Sequence, residues 1–179
     1  LYAIGDVNGR ALLTHIGKYQ ARIAAEQILG RDARVHVLAD GPLAPRVVFT
    51  DPQVAAVGHT AESAATSGLA ARAIDHQTSA TAGASFHGRN TPGLSRIVVD
   101  EERRVLVGAT FTGSEVAEWL HAATIAIAGE VPVERLWHAV PSFPTRSEVW
   151  LRLLEKLEAA EREAGRASGA SAPTGAGER

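Results

Sequence analysis

The sequence predicts an α+β fold preceded by a sliver of α/β structure, and three observations carry that reading. Residues 1–4 are a short apolar run that ends at Gly5-Asp6 and passes into a stretch of helical period. From Pro45 the chain changes to short β-type runs parted by turn residues. From Ser114 onward the apolar residues return to helical spacing. Strand and helix, then strands, then helices is the order of a small α/β piece joined to an α+β domain.

The elements follow in chain order. Residues 1–4 read as a buried strand running into a turn. Leu12, Ile16, Tyr19 and Ile23 fall at i, i+4, i+7 and i+11, one face of a helix from Arg10 to Leu29 that Gly30 stops. Residues 31–45, with Gly41, Pro42 and Pro45, form a connector. Val47-Val48-Phe49 is a strand broken by Asp51-Pro52 and resumed by Val54 to Val57. A short helix is expected over 60–67 and an extended stretch over 69–87. Ile97-Val98-Val99 and Val105-Leu106-Val107, joined by Asp100 to Arg103, have the pattern of a β-hairpin. Ser114 is placed to cap a helix striped by Val116, Trp119, Leu120, Ala123 and Ile127 and ended by Gly129. Pro132 suits the first turn of a short helix through Val140, and Pro141 and Pro144 force an extended crossing. Thr145 and Glu148 have capping-box spacing ahead of a last helix striped by Val149, Trp150, Leu153, Leu154 and Leu157. Residues 164–179 are Gly, Ala, Ser and charge, the composition of a tail that buries too little to order itself.

Bulk properties exclude several function classes. The 179 residues are 45% apolar and 21% charged, within the range of globular proteins. A net charge of −2 with interspersed signs gives no electrostatic footprint for nucleic acid or an anionic membrane. With no cysteine the chain has no disulfide and no thiolate. No apolar run is long enough to span a bilayer and nothing resembles a signal peptide, so a cytoplasmic setting is expected. The absence of methionine and the opening in mid-pattern at Leu1-Tyr2-Ala3-Ile4 are read as signs of a piece of a longer protein.

Three stretches together resemble the class I pyridine nucleotide–disulfide oxidoreductases, the family of dihydrolipoamide dehydrogenase, glutathione reductase and mercuric reductase. They are Tyr2 to Val7 followed by Leu12 to His15, then Pro45 to Gly58 with the core Thr50-Asp51-Pro52-Gln53-Val54, and Phe143-Pro144-Thr145-Arg146-Ser147-Glu148. The resemblance covers about residues 1–158. It implies that residues 1–40 close an FAD-binding domain and that 45–160 form a dimerisation domain, an antiparallel sheet flanked by helices. It also implies a homodimer, with FAD and NAD(P)H held largely by a missing amino-terminal part. The absence of any G-x-G-x-x-G agrees with that division.

The resemblance assigns roles residue by residue. Asp6 matches an aspartate that hydrogen-bonds the ribityl chain of FAD, and a carboxylate there suits sugar-alcohol hydroxyls. The alternative is that Asp6 caps its own turn. Leu13, Thr14 and His15 open a helix whose free amides, aimed at the flavin pyrimidine edge, would stabilise negative charge on reduction. The alternative is an ordinary helix start, with His15 structural and Tyr19 in the core. The third stretch departs from the family's His-Pro-Thr-x-Ser-Glu: its acid–base histidine is replaced by Phe143, while Glu148 remains. Phenylalanine moves no proton, and thiol–disulfide exchange needs a proton manager beside the thiolate. Glu148 then stands either as a remnant of the catalytic pair or as half of a capping box. His138 lies five residues upstream of the motif position and reads as a residue at the surface or one that supports a site from behind, His121 and Trp119 as core or interface packing. His59, His76 and His87 show no metal-ligand spacing, so no metal site is expected.

The function expected is that of an FAD-dependent NAD(P)H oxidoreductase acting as a homodimer on a small-molecule two-electron acceptor, quinone-like because Phe143 replaces the histidine. The piece by itself is expected to be inactive. Two other readings stay open: a free-standing interaction domain, and a disulfide reductase that recruits another acid–base group such as His138.

Overall fold

The computed structural model describes residues 1–87 and 92–170, the last three without their side chains. Five strands form one antiparallel sheet: β1 (Arg46–Val48), β2 (Gln53–Gly58), β3 (Ala71–Gln77), β4 (Leu94–Asp100) and β5 (Val105–Gly113), in the order β1-β2-β5-β4-β3. The helices are α1 (Thr14–Ile28), α2 (Ala61–Thr66), α3 (Leu120–Ala128), α4 (Val133–Leu136) and α5 (Val149–Ala170). The expected α+β class, with its antiparallel sheet and flanking helices, is the one observed.

The central hairpin shows how sequence makes the sheet. Asp100 ends β4, and its Oδ1 accepts from the backbone N–H groups of Glu102 and Arg103, each at 3.0 Å. This is the local side-chain bond that makes aspartate a turn residue. β5 then runs back between β2 and β4, and its middle is buried on both faces. On one face Ala55, Ile97, Val99, Leu106, Ala109 and Phe111 meet α3 and α5 through Leu120, Ala123, Ile127, Val149, Leu153 and Leu157. On the other, Val98, Val105 and Val107 pack with Ala64 of α2.

The parity within β5 is informative. Leu106 and Ala109 lie in the same core although they are three apart, where strict alternation would put them on opposite faces. A bulge reconciles them: Val98 pairs with Gly108 but Val99 pairs with Leu106, so one extra residue sits in β5. At this point the chain leaving β2 crosses against β5, and His59 donates its N–H to the Val107 carbonyl at 2.8 Å. A Cβ on Gly108 would stand 1.8 Å from the His59 carbonyl oxygen. Gly108→Ala is therefore expected to cost about 3 kcal/mol, the upper part of the usual overpacking range. Urea unfolding checks this, and a change below about 0.5 kcal/mol would contradict the crossing as described.

Several elements differ from expectation. Residues 1–4 do not join a sheet; Ile4 keeps β angles (φ −127°, ψ 155°), but no strand pairs with it among the described residues. The chain then enters a 3-10 turn over Gly5–Asn8. α1 starts at Thr14, not Arg10, and of its expected stripe only Ile16 is fully buried. Gln20, a polar residue off that stripe, is buried instead: its Oε1 accepts from Gly5 N–H at 2.7 Å and from Asn8 at 2.8 Å, while its Nε2 donates to Asp40 at 2.6 Å. The stretch over 69–87 is not extended throughout, because after β3 it coils into a 3-10 helix, Ala82–His87.

Ser114 caps nothing: Glu115, in the left-handed region at φ 55°, is the N-cap of a 3-10 turn, Val116–Trp119, that leads into α3. Pro132 precedes its helix as N-cap and bridges Val105, and α4 ends at Leu136, short of Val140. The Thr145–Glu148 capping box does not form, since the Thr145 hydroxyl donates to the Ser142 carbonyl at 2.5 Å and Glu148 turns into the protein. A capping box does form at Thr60 and Ser63, where serine takes the place of the usual Glu or Gln. The tail expected from 164 is helical as far as Ala170, and the rest of it lies outside the described residues. No helix among the described residues is long and apolar enough to cross a membrane.

Candidate functional site

The residues singled out by the sequence fall into two places. The first is the start of α1. Leu13 takes the N-cap position with extended backbone (φ −138°, ψ 128°), and its side chain makes no cap hydrogen bond. The first-turn amides are thus left without a side-chain acceptor, the arrangement that favours negative charge. Leu13, Thr14 and His15 border an open hollow of about 440 Å³ with Pro45, Arg46 and Phe49. His15 Nε2 lies 2.7 Å from the Pro45 carbonyl, tying the first turn of α1 to the start of β1. Asp6 is exposed and does not border this hollow. Its main-chain carbonyl accepts from Gly9 N–H at 3.0 Å, while its carboxylate has no hydrogen bond or ion pair among the described residues. The side chain therefore does not cap its turn and is open to a ligand.

The second place is the loop before α5. The Phe143–Pro144 peptide is cis, and the Phe143 ring is 76% exposed. Five residues on, Glu148 is only 6% exposed. Its Oε1 accepts from the Arg152 guanidinium at 2.7 Å and its Oε2 from the Ala82 N–H at 3.3 Å. Both carboxylate oxygens thus hold parts of this chain together. Glu148 links α5 to the 3-10 helix after β3, with no imidazole at the motif position to orient. His138 is exposed, as expected of a surface residue.

Two residues were not anticipated. Arg146, at the variable position of the motif, lays its guanidinium on the Trp119 ring at 4.2 Å from the centroid. Burial holds its pKa below the usual arginine value, and the charge of Glu115 opposes that. A position that the motif leaves free gives no signal of such burial. His76, on β3, has both ring nitrogens buried and without hydrogen-bond partners. Burial first, then the charges of Lys156 and Arg152 on α5, push its pKa below the ordinary value of 6.5, opposed by the nearby Ala80 backbone, which is too poorly placed for a full hydrogen bond, and by Glu155. A histidine depressed in the folded state stabilises the fold fully above its ordinary pKa, and that contribution is lost as pH falls towards the folded pKa. Urea unfolding at pH 7.5 and 5.5 is expected to show a larger acid loss for the native chain than for His76→Gln. Equal losses would remove His76 from the acid response.

A third feature is apolar. α3, the segment after α4 and the start of α5 enclose an open hollow of about 240 Å³ lined by Ala122, Ala126, Leu136, Ala139, Pro141, Trp150 and Leu154. Ile125, Val140 and Phe143 are large apolar side chains exposed on these same segments. No group of three or more His, Cys, Asp or Glu among the described residues is arranged to hold a metal.

The sequence profile of the pyridine nucleotide-disulphide oxidoreductase dimerisation domain matches residues 44–154, and the chain belongs to this family. Similar proteins include dihydrolipoyl dehydrogenase of Mycobacterium tuberculosis, 36% identical over 149 residues that make up 83% of this chain and 31% of the relative. The dihydrolipoyl dehydrogenase of Chlamydia pneumoniae is 33% identical over 150 residues, 84% of this chain and 32% of the relative. The chain thus spans about a third of the length of these curated relatives. Among solved structures, LpdA from Mycobacterium tuberculosis superposes with a TM-score of 0.77 at 24% identity, covering 87% of this chain and 33% of that one. The HOCl-induced flavoprotein disulfide reductase RclA from Escherichia coli gives 0.74 at 24% identity, with 86% and 35% covered. These two likenesses bear on the fold.

Proposed function

We propose that this chain works as part of an FAD-dependent NAD(P)H oxidoreductase, a cytoplasmic homodimer in which residues 45–160 form the subunit interface and residues 1–40 close the flavin domain. The exposed apolar side chains of Ile125, Val140 and Phe143 and the hollow beside Trp150 support an interface, since obligate interfaces are more apolar than ordinary surface. The residues at the start of α1 fit a flavin. The uncapped amides of the first turn favour the negative charge of a reduced ring, and the open Asp6 carboxylate accepts from hydroxyl groups. The chemistry a bound flavin supplies is two-electron exchange between NAD(P)H and an acceptor. Leu13, Thr14 and His15 would hold its edge and Asp6 its sugar-alcohol chain.

The acceptor is proposed to be quinone-like, and one observation carries this: Phe143 stands where the motif has its proton-transferring histidine. An exposed phenyl ring at that place excludes water and stacks against a flat apolar molecule, but it cannot protonate a leaving thiolate. The Glu148 carboxylate, engaged by Arg152 and Ala82, holds the loop instead of orienting a base. The likeness to dihydrolipoyl dehydrogenases favours a second reading, reduction or oxidation of a dithiol substrate. Steady-state assay of the complete flavoprotein with a benzoquinone and with lipoamide separates the two. Faster turnover per molar quinone is expected, and efficient lipoamide turnover would sink the quinone proposal.

A further inference from the structure

Arg146 presents a cation with incomplete compensation. Its side chain is 11% exposed, and its Nε and Nη1 are buried with no hydrogen-bond partner. Its ion-pair partner among the described residues is Glu115, at 3.9 Å, whose side chain is 63% exposed. Every other ion pair among the described residues is shorter, at 3.4 Å or less. The Trp119 ring covers one face of the guanidinium but gives its in-plane N–H groups nothing to donate to. A buried charge is ordinarily paired and hydrogen-bonded, because water no longer solvates it.

The space next to this guanidinium is not filled by any described residue. A cavity of about 10 Å³ is bordered by Arg146, Thr78, Ser79, Gly113 and Ser114. That is about the room one water-sized occupant takes. Gly113 keeps it open: a Cβ there would lie 3.3 Å from Thr78 Cγ2 and 3.8 Å from Arg146 Nη2. Thr78 Oγ1 is already paired with Ser95 Oγ at 2.9 Å, whereas the hydroxyls of Ser79 and Ser114 have no hydrogen-bond partner among the described residues. Two serine hydroxyls and the Arg146 side chain thus border a water-sized space beside an incompletely compensated positive charge, a setting that suits a monatomic anion. We propose that Arg146, Ser79 and Ser114 form a binding site for one halide ion, chloride under cellular conditions. The bound ion completes the charge balance of the loop that carries Phe143, independently of which acceptor the enzyme uses.

The test uses the 179-residue chain, with sodium gluconate replaced by sodium chloride at constant ionic strength. The thermal midpoint is expected to rise by a few °C and to saturate with chloride, as ligand binding to the folded state requires. Arg146→Met, which removes the buried cation, should unfold in gluconate at a midpoint no lower than the native chain and should not respond to chloride. Ser114→Ala, which keeps the charge, should shift the chloride midpoint about tenfold upward. Crystals grown in sodium bromide should show an anomalous peak within hydrogen-bonding distance of the Arg146 guanidinium. A chloride response that is absent or non-saturating overturns the site. A response unchanged in Arg146→Met, or bromide crystals with water alone in the cavity, does the same.

Discussion

Phe143→His in the complete flavoprotein is expected to raise NAD(P)H-dependent turnover of a disulfide substrate by about 100-fold or more, where the rest of the protein supplies a redox-active cysteine pair. A positioned acid–base group contributes roughly 10²- to 10⁴-fold in proton transfer. The position is accessible, since Phe143 is 76% exposed. An imidazole there would supply the proton that a leaving thiolate needs, and the thiolate is the reactive form in exchange. Quinone reduction, which needs no thiol partner, should change less than threefold or fall as the apolar ring is lost. Spectroscopy of the bound flavin separates a chemical effect from loss of cofactor. If neither activity changes, Phe143 does not face the reacting atoms and the acceptor argument fails.

The largest effect on stability is expected from Phe111→Ala, about 3–5 kcal/mol. Phe111 is fully buried on β5, opposite Ala55 of β2 and Ser95 of β4. Its ring meets Trp119 edge-on at 6.1 Å and Trp150 at 5.8 Å, with interplanar angles of 64° and 66°. It therefore joins the sheet to the turn before α3 and to the first turn of α5 at once. Truncation removes transfer free energy and leaves a cavity that three separate elements would have to close. Each aromatic pair adds about 0.5–1.5 kcal/mol beyond area burial. Trp119 also carries the Arg146 guanidinium, so the loss should spread to the Phe143 loop. Urea unfolding should show a lower midpoint with an unchanged slope. A cost below about 1 kcal/mol would mean that the sheet and helices do not share this core.

Much of the fold was legible because local chemistry and packing agreed. The turn at Asp100 announced the β4–β5 hairpin through a side chain that bonds its own turn. The stripes Val116, Leu120, Ala123, Ile127 and Val149, Leu153, Leu154, Leu157 marked the two helices that cover the sheet. The misses are places where distant contacts decide. The bulge between Val98 and Val99 follows from the crossing at Gly58 and His59, which no local pattern encodes. Thr145 and Glu148 have the spacing of a capping box, but the Ala82 amide and Arg152 reach the carboxylate first. Ser114 has the residue type of a cap, but Glu115 adopts φ 55° and takes the N-cap position. At the site, the substitution at Phe143 is plain in the sequence because a motif surrounds it. Arg146 is silent, because its burial depends on Trp119 and on the open space Gly113 leaves.

Residues 45–160 are proposed to assemble two copies of this chain. Light scattering of the chain at several concentrations tests it most directly. A concentration-independent mass of twice 18.8 kDa is expected, that of a dimer held by an obligate apolar interface. A mass of 18.8 kDa that persists as concentration rises would contradict it. The apolar face around Ile125, Val140 and Trp150 would then need another explanation.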